Sequence, residues 1–224
     1  MRFTGRTLLW WGVLLTGVGV TTLLDQSVWR AWHPADEAAK VAFEKRDVVQ
    51  MLRSMGYVPT WVAIGAAAWL LRLGERGRMS GHTGSGAWRG WLISISAALA
   101  GGLAELLKLI VGRERPGIDG AYVWRGLFSG LTNSGNLGMA SSHAGVAFGG
   151  AFMVMLLHRR AAWVVLPLAI GCATVRVGTG AHYVSDVWVG AVLGYVAAAG
   201  LARLTRTASH HGTSGRENVV RRQY

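Results

Sequence analysis

The chain has 224 residues, of which 15% are charged, against roughly 25% in soluble domains. Its 23 Lys and Arg face 11 Asp and Glu, a net charge of +12, beside 32 Gly, 11 Trp, 4 Pro and a single Cys. That excludes a disulfide scaffold, a collagen-like repeat and intrinsic disorder, and leaves a polytopic membrane protein or a basic nucleic-acid binder.

Six apolar stretches are long enough, or nearly so, to span a bilayer: 8–24, 57–73, 88–111, 139–157, 161–175 and 183–202. They predict an all-α membrane bundle of six transmembrane helices over residues 1–204, with a disordered cytoplasmic tail at 205–224. A cleaved signal peptide at 8–24 is disfavoured, since no A-x-A-type site precedes Asp25. Trp10, Trp11, Trp29, Trp61, Trp88, Trp91, Trp163 and Trp188 cluster near span ends, where aromatic belts form. Gly145/Gly149 and Gly190/Gly194 carry the small-xxx-small spacing that lets helix backbones approach. The first outer loop, 25–56, opens a short amphipathic helix at Pro34, Asp36 and Glu37, with Val41, Val48, Leu52 and Met55 on one face. That helix lies either on the membrane surface or against another loop.

The connections alternate between two sides. One side, with both termini, holds 13 basic residues against Glu75 and Glu217; the other holds 10 basic and nine acidic residues. The excess of +11 marks the first side as cytoplasmic. Its division among four short segments removes the nucleic-acid reading, which needs one basic patch.

Ionisable residues at the rim of spans are costly and need a reason. Three groups stand out on the outer side. Lys108 and Arg115, followed by Pro116, leave span three; Ala140-Ser141-Ser142-His143 opens span four; Arg176, His182 and Asp186 link spans five and six. Lys108 and Arg115 are seven apart, which places them on one helix face until Pro116 ends it. The three cations suit phosphate oxygens. His182 and Asp186, four apart, allow a carboxylate to hold one imidazole nitrogen and free the other for attack. His143 is a second imidazole, available as a proton donor, and Ser141 and Ser142 open a helix where anions bind. Such a set suits metal-free phosphoryl transfer. A zinc site at His182 and Asp186 is disfavoured by the surrounding arginines, and Arg113 and Arg125 are expected to be membrane-surface anchors or lipid-headgroup contacts. Glu105 is expected to pair with Lys108, Glu114 and Asp119 to be solvated loop charges, and the loop 119–138 to act as a lid.

This pattern resembles the type-2 phosphatidic acid phosphatase superfamily, whose motifs read K-x6-R-P, P-S-G-H and S-R-x5-H-x3-D. Lys108–Pro116, Ser141 with His143, and Arg176–His182–Asp186 match in order. Ala140 stands for the motif proline, Ser142 for its glycine and Val175 for the serine before Arg176. The resemblance implies that His182 forms a phosphohistidine, that Asp186 orients it and that His143 protonates the leaving oxygen. It implies that Lys108, Arg115, Ser141, Ser142 and Arg176 hold the phosphoryl oxygens. The implied substrate is a lipid phosphate in the bilayer, hydrolysed at the outer face of the cytoplasmic membrane. Phosphatidic acid, phosphatidylglycerol phosphate, polyprenyl diphosphate and lipid A phosphate all fit. No cofactor, metal or obligatory protein partner is called for. The alternatives are a lipid phosphotransferase, a non-hydrolytic lipid-phosphate binding or transport protein, and the soluble vanadate-dependent haloperoxidases, against which the spans argue.

Overall fold

The apolar runs fold as helices. The computed structural model describes the backbone of residues 5–78, 87–117 and 120–220, with side chains for 12–71, 88–117 and 120–205. Among these residues eight α-helices follow in order: α1 (Gly5–Trp32), α2 (Glu37–Glu44), α3 (Asp47–Ser54), α4 (Val58–Arg78), α5 (Trp91–Val111), α6 (Ser142–Leu157), α7 (Ala162–Gly178) and α8 (Val184–Val220).

Among the described residues three segments are long and apolar enough to cross a membrane: Trp88–Val111, Arg159–Gly178 and Val184–Thr205. A fourth is α3 with Val58–Leu71, bent by 69° between them. The six-span expectation is therefore met in part. Among the described residues α6, with 16 residues, falls short of the roughly 20 a crossing needs, and α1 does not meet the same test. Nine of the 13 basic residues that define the cytoplasmic side, among them Arg2, Arg6 and Arg72, have side chains outside the described residues. Helix α8 continues past Thr205 to Val220, across the segment expected to be a disordered tail.

Two boundaries move. The first apolar run continues past Leu24 to Trp32, which brings Asp25 inside α1 rather than into a loop. The amphipathic helix starts where expected, with Asp36 as N-cap accepting from Ala39 N at 2.7 Å, but breaks at Lys45–Arg46 into α2 and α3. Helix α3 packs on α7, where Gly171 leaves room for Leu52.

The core is α5, α6 and α8, held at short distance by small residues. A Cβ on Gly194 would stand 2.7 Å from Gly149 N, and one on Gly149 2.8 Å from Ser96 O. Ser96 Oγ donates to Gly149 O at 2.8 Å in the same contact. Both small-xxx-small pairs therefore lie where backbones meet. Gly194→Ala is expected to destabilise the fold by about 1–3 kcal/mol, since backbone atoms cannot swing aside. Gly102→Ala, with nothing within 4 Å, is the control. Thermal unfolding in detergent should separate the two; equal melting temperatures would count against the tight α6–α8 seam.

Of the belt tryptophans, Trp88, Trp91 and Trp163 are exposed. Trp61 is fully buried, its Nε1 donating to Met55 O at 2.7 Å, because Gly150 clears a slot for the indole. Trp29 and Trp188 also turn inward, against Gly120 and Gly17. Trp10 and Trp11 have side chains outside the described residues. Cys172 is a buried packing residue, as its apolar surroundings require.

Candidate active site

Helix α5 delivers Lys108 in its last turn, nearly buried, with Nζ donating to Glu105 Oε1 at 2.7 Å and to Ser142 Oγ at 3.2 Å. The expected Glu105–Lys108 pair is thus present. The helix ends earlier than Pro116, at Gly112, whose φ of +68° is left-handed. A side chain there would collide with Gly126 O and the Ser129 hydroxyl. Lys108 and Arg115 consequently do not share a helical face. Arg115 sits on an extended segment that follows the glycine. Lys108 pairs with the Glu105 carboxylate, which also feels the charge of Arg115.

That extended segment is clasped by the loop expected to be a lid. Glu114 N donates to Val123 O (2.9 Å), Arg115 N to Asn136 O (2.9 Å) and Gly138 N to Arg113 O (2.7 Å). Arg115 Nε donates to Leu137 O at 3.3 Å. Arg125 is not a free anchor. Its Nε donates to Glu114 Oε1 at 2.6 Å, and this bond holds the Glu114 carboxyl below its ordinary value. Asp119 lies outside the described residues.

Ser141 is the N-cap of α6, its Oγ accepting from Ala144 N at 3.4 Å. Its own N–H donates to Asp186 O at 3.0 Å, which docks the start of α6 on the start of α8. The Ser141 hydroxyl is therefore used in capping, and the Ser142 hydroxyl is the one beside Lys108. His143 follows in the first helical turn. Its ring meets Tyr57 edge-on at 5.0 Å, and Gly56 is needed opposite, because a Cβ there would stand 2.7 Å from His143 Cδ2.

The end of α7 curls back onto itself. Ala181 N and His182 N both donate to Arg176 O at 3.2 Å, with Gly180 at φ +67°. This turn holds His182 close to Arg176. His182 precedes α8 by two residues and is fully buried, with Nδ1 3.5 Å from Asp186 Oδ2. That separation is an electrostatic contact just short of a hydrogen bond, of the kind that tightens on substrate binding. Asp186 Oδ2 also accepts from Tyr183 N at 2.9 Å, the reciprocal half of a capping box. Burial pushes the His182 imidazole below its ordinary value, and Asp186 opposes that shift.

The three groups meet electrostatically. The charges of Arg176 and Arg115 reach His182, and those of Arg176 and Lys108 reach His143. Arg176 is 6% exposed and has no carboxylate partner among the described residues; its Nε lacks any hydrogen-bond acceptor. A buried guanidinium in that condition is costly, and an anion would relieve it. His143 Nε2 and His182 Nδ1 are likewise buried without a hydrogen-bond partner. Among the described residues no group of three His, Cys, Asp or Glu gathers to hold a metal ion.

Sequence reasoning missed four contributors. Arg113 is not a surface anchor: it is buried and bonded to Asp186 Oδ1 and Ser185 Oγ, because the helix has already ended at Gly112 and the chain runs inward. Asp25 on α1 joins the same cluster. Its signal was available, a lone carboxylate at the end of an apolar span. Arg53 on α3 sends its charge onto both His143 and Arg176, and Tyr57 covers His143. Neither stands in a pattern that local spacing reveals.

The PAP2 superfamily model matches residues 89–209, more than half of the chain. The lipid A 1-phosphatase of Rhizobium etli is 34% identical over 112 residues, 48% of this chain and 46% of that protein. The bacitracin transport permease protein BcrC of Bacillus licheniformis is 28% identical over 107 residues, 48% of this chain and 53% of that protein. The chain thus spans about half the length of the curated relatives it matches. In fold it is similar to the crystal structure of a transmembrane PAP2-type phosphatidylglycerolphosphate phosphatase from Bacillus subtilis. The TM-score is 0.53 at 14% identity, covering 92% of this chain and 98% of that one.

Proposed function

The chain belongs to the PAP2 superfamily, and on that premise we propose that it removes a terminal phosphate from a membrane lipid through a phosphohistidine at His182. The observation that carries this reading is Arg176, a buried cation with no carboxylate partner among the described residues, set beside a histidine that has one.

In the proposed first step His182 Nε2 attacks phosphorus while Nδ1–H is held by Asp186. The bond from phosphorus to the lipid oxygen breaks, and that oxygen takes a proton from His143. Arg176, Lys108, Arg115 and the Ser142 hydroxyl neutralise the three non-bridging oxygens, the task that Mg²⁺ performs in other phosphoryl-transfer sites. The bound dianion offsets the positive charges of Arg176 and Lys108 around His143 and so favours the imidazolium that donates. In the second step a water molecule gives His143 its proton and attacks phosphorus, the P–N bond breaks, and inorganic phosphate leaves with His182 neutral again.

The proposed setting is the cytoplasmic membrane, crossed six times, with both termini in the cytoplasm and the site on the outer face. A lipid would then enter from the outer leaflet. Phosphatidylglycerol phosphate, polyprenyl diphosphate, phosphatidic acid and the phosphate of lipid A are the substrates to compare. The names of the relatives give weight to lipid A 1-phosphate and phosphatidylglycerol phosphate. Purified protein in EDTA should release phosphate from at least one of the four. A strict requirement for added Mg²⁺ would contradict the cation pocket, and binding without release would leave a recognition protein.

A further inference from the structure

The nucleophile's carboxylate does not stand alone. Asp186 Oδ1 accepts from Arg113 Nη2, and the same guanidinium reaches Asp25 Oδ2 on α1 at 3.6 Å. Both Arg113 terminal nitrogens donate to Ser185 Oγ, at 2.9 and 3.0 Å. Having accepted twice, that hydroxyl turns its one proton to Asp25 Oδ2. Ser185 N donates to Asp25 Oδ1 at 2.8 Å, and the Tyr122 hydroxyl donates to Oδ2. Burial pushes the Asp25 carboxyl up, and every partner it has is a donor that opposes this shift and favours the ionised form. The Arg113 guanidinium lies 5.0 Å from the Tyr183 ring and 5.4 Å from the Tyr122 ring, whose faces hold it in place. Asp25, Ser185 and Asp186 are each 1% exposed or less.

The charge arithmetic of this cluster has a consequence for the reaction. When His182 Nε2 bonds to phosphorus, the ring keeps its Nδ1 proton and becomes a phosphoimidazolium, a buried cation. Asp186 would balance that cation, but Arg113 already cancels Asp186. Asp25 supplies the missing unit: Asp25, Arg113 and Asp186 together carry −1, which matches the intermediate.

We propose that Asp25 is a positioning residue for catalysis, acting through Arg113 to leave Asp186 with a full negative charge for the phosphorylated His182. It lies on α1, outside the region 89–209 that carries the family motifs. The inference rests on the phosphohistidine reading.

The test uses the full chain in detergent, with phosphatidic acid as probe. Asp25→Asn keeps the shape and removes the charge. It should lower kcat by roughly 10- to 100-fold, with KM changed by less than about twofold. Asp25→Asn with Arg113→Gln restores the cluster to −1 and should recover most of the lost kcat. A purely structural role predicts the reverse, because the double variant loses further bonds. Unchanged kcat in Asp25→Asn, or no recovery in the double variant, overturns the proposal. If Asp25→Asn does not accumulate folded, Tyr122→Phe removes one donor from Asp25 with no change of charge. It should then lower kcat by about 3-fold or more at constant KM, and an unchanged kcat overturns the proposal. Wild-type turnover without any acid-labile phosphoenzyme is the separate failure, that of the phosphohistidine reading itself.

Discussion

His182→Ala is expected to lower phosphate release by ~10³-fold or more while the protein keeps its fold and its affinity for lipid phosphate. The side chain is buried at the turn between α7 and α8, and its ring packs a small volume beside Asp186. Removing it deletes the only protein atom in the proposed scheme that bonds to phosphorus. The cations remain, so binding should survive and the loss should fall on kcat. Burial holds the imidazole below its ordinary value, so the neutral, attacking form persists as pH falls through neutrality. The acid limb of kcat/KM that reports the nucleophile should accordingly lie below about 6.5. Retention of wild-type kcat by His182→Ala would assign the chemistry elsewhere.

Arg176 carries the second large expectation. Arg176→Ala should reduce kcat/KM by roughly 10²- to 10³-fold, and Arg176→Lys by at least ~10-fold. The guanidinium stands at the end of α7, 6% exposed, and its carbonyl anchors the turn that positions His182. Substitution of the side chain leaves that backbone bond intact, so the effect isolates the charge and its planar fork. Lysine restores the charge without the paired N–H groups that match phosphate oxygens, and its recovery should be partial. Full activity in Arg176→Lys would mean that a point charge suffices, and full activity in Arg176→Ala would remove the argument from the unpartnered cation.

The three motifs were readable because each is short and local. Lys108, His143 and Asp186 are placed by helix termini that hydropathy alone locates, and glycines four apart marked the seams of α6 and α8. The supporting residues were not readable in the same way. Arg113 looked like a rim charge so long as the helix was taken to run to Pro116; the left-handed Gly112 ends it early and turns Arg113 inward. Asp25 is 160 residues from Ser185 in sequence, and no periodicity connects them. Trp61 has the sequence of a belt residue and the environment of a core one, because the space that receives it is made by Gly150 on another helix. Arg53 and Tyr57 reach the site through the bend between α3 and α4, which depends on packing against α7 rather than on a local signal.

The most direct measurement is a rapid acid-free quench of the wild-type protein mixed with lipid carrying ³²P in its terminal phosphate. A covalent intermediate at His182 requires protein-bound label that appears before free phosphate, survives alkali, is lost in acid and is absent from His182→Ala. Release of labelled phosphate with no protein-bound label at any time, or label undiminished in His182→Ala, would contradict it.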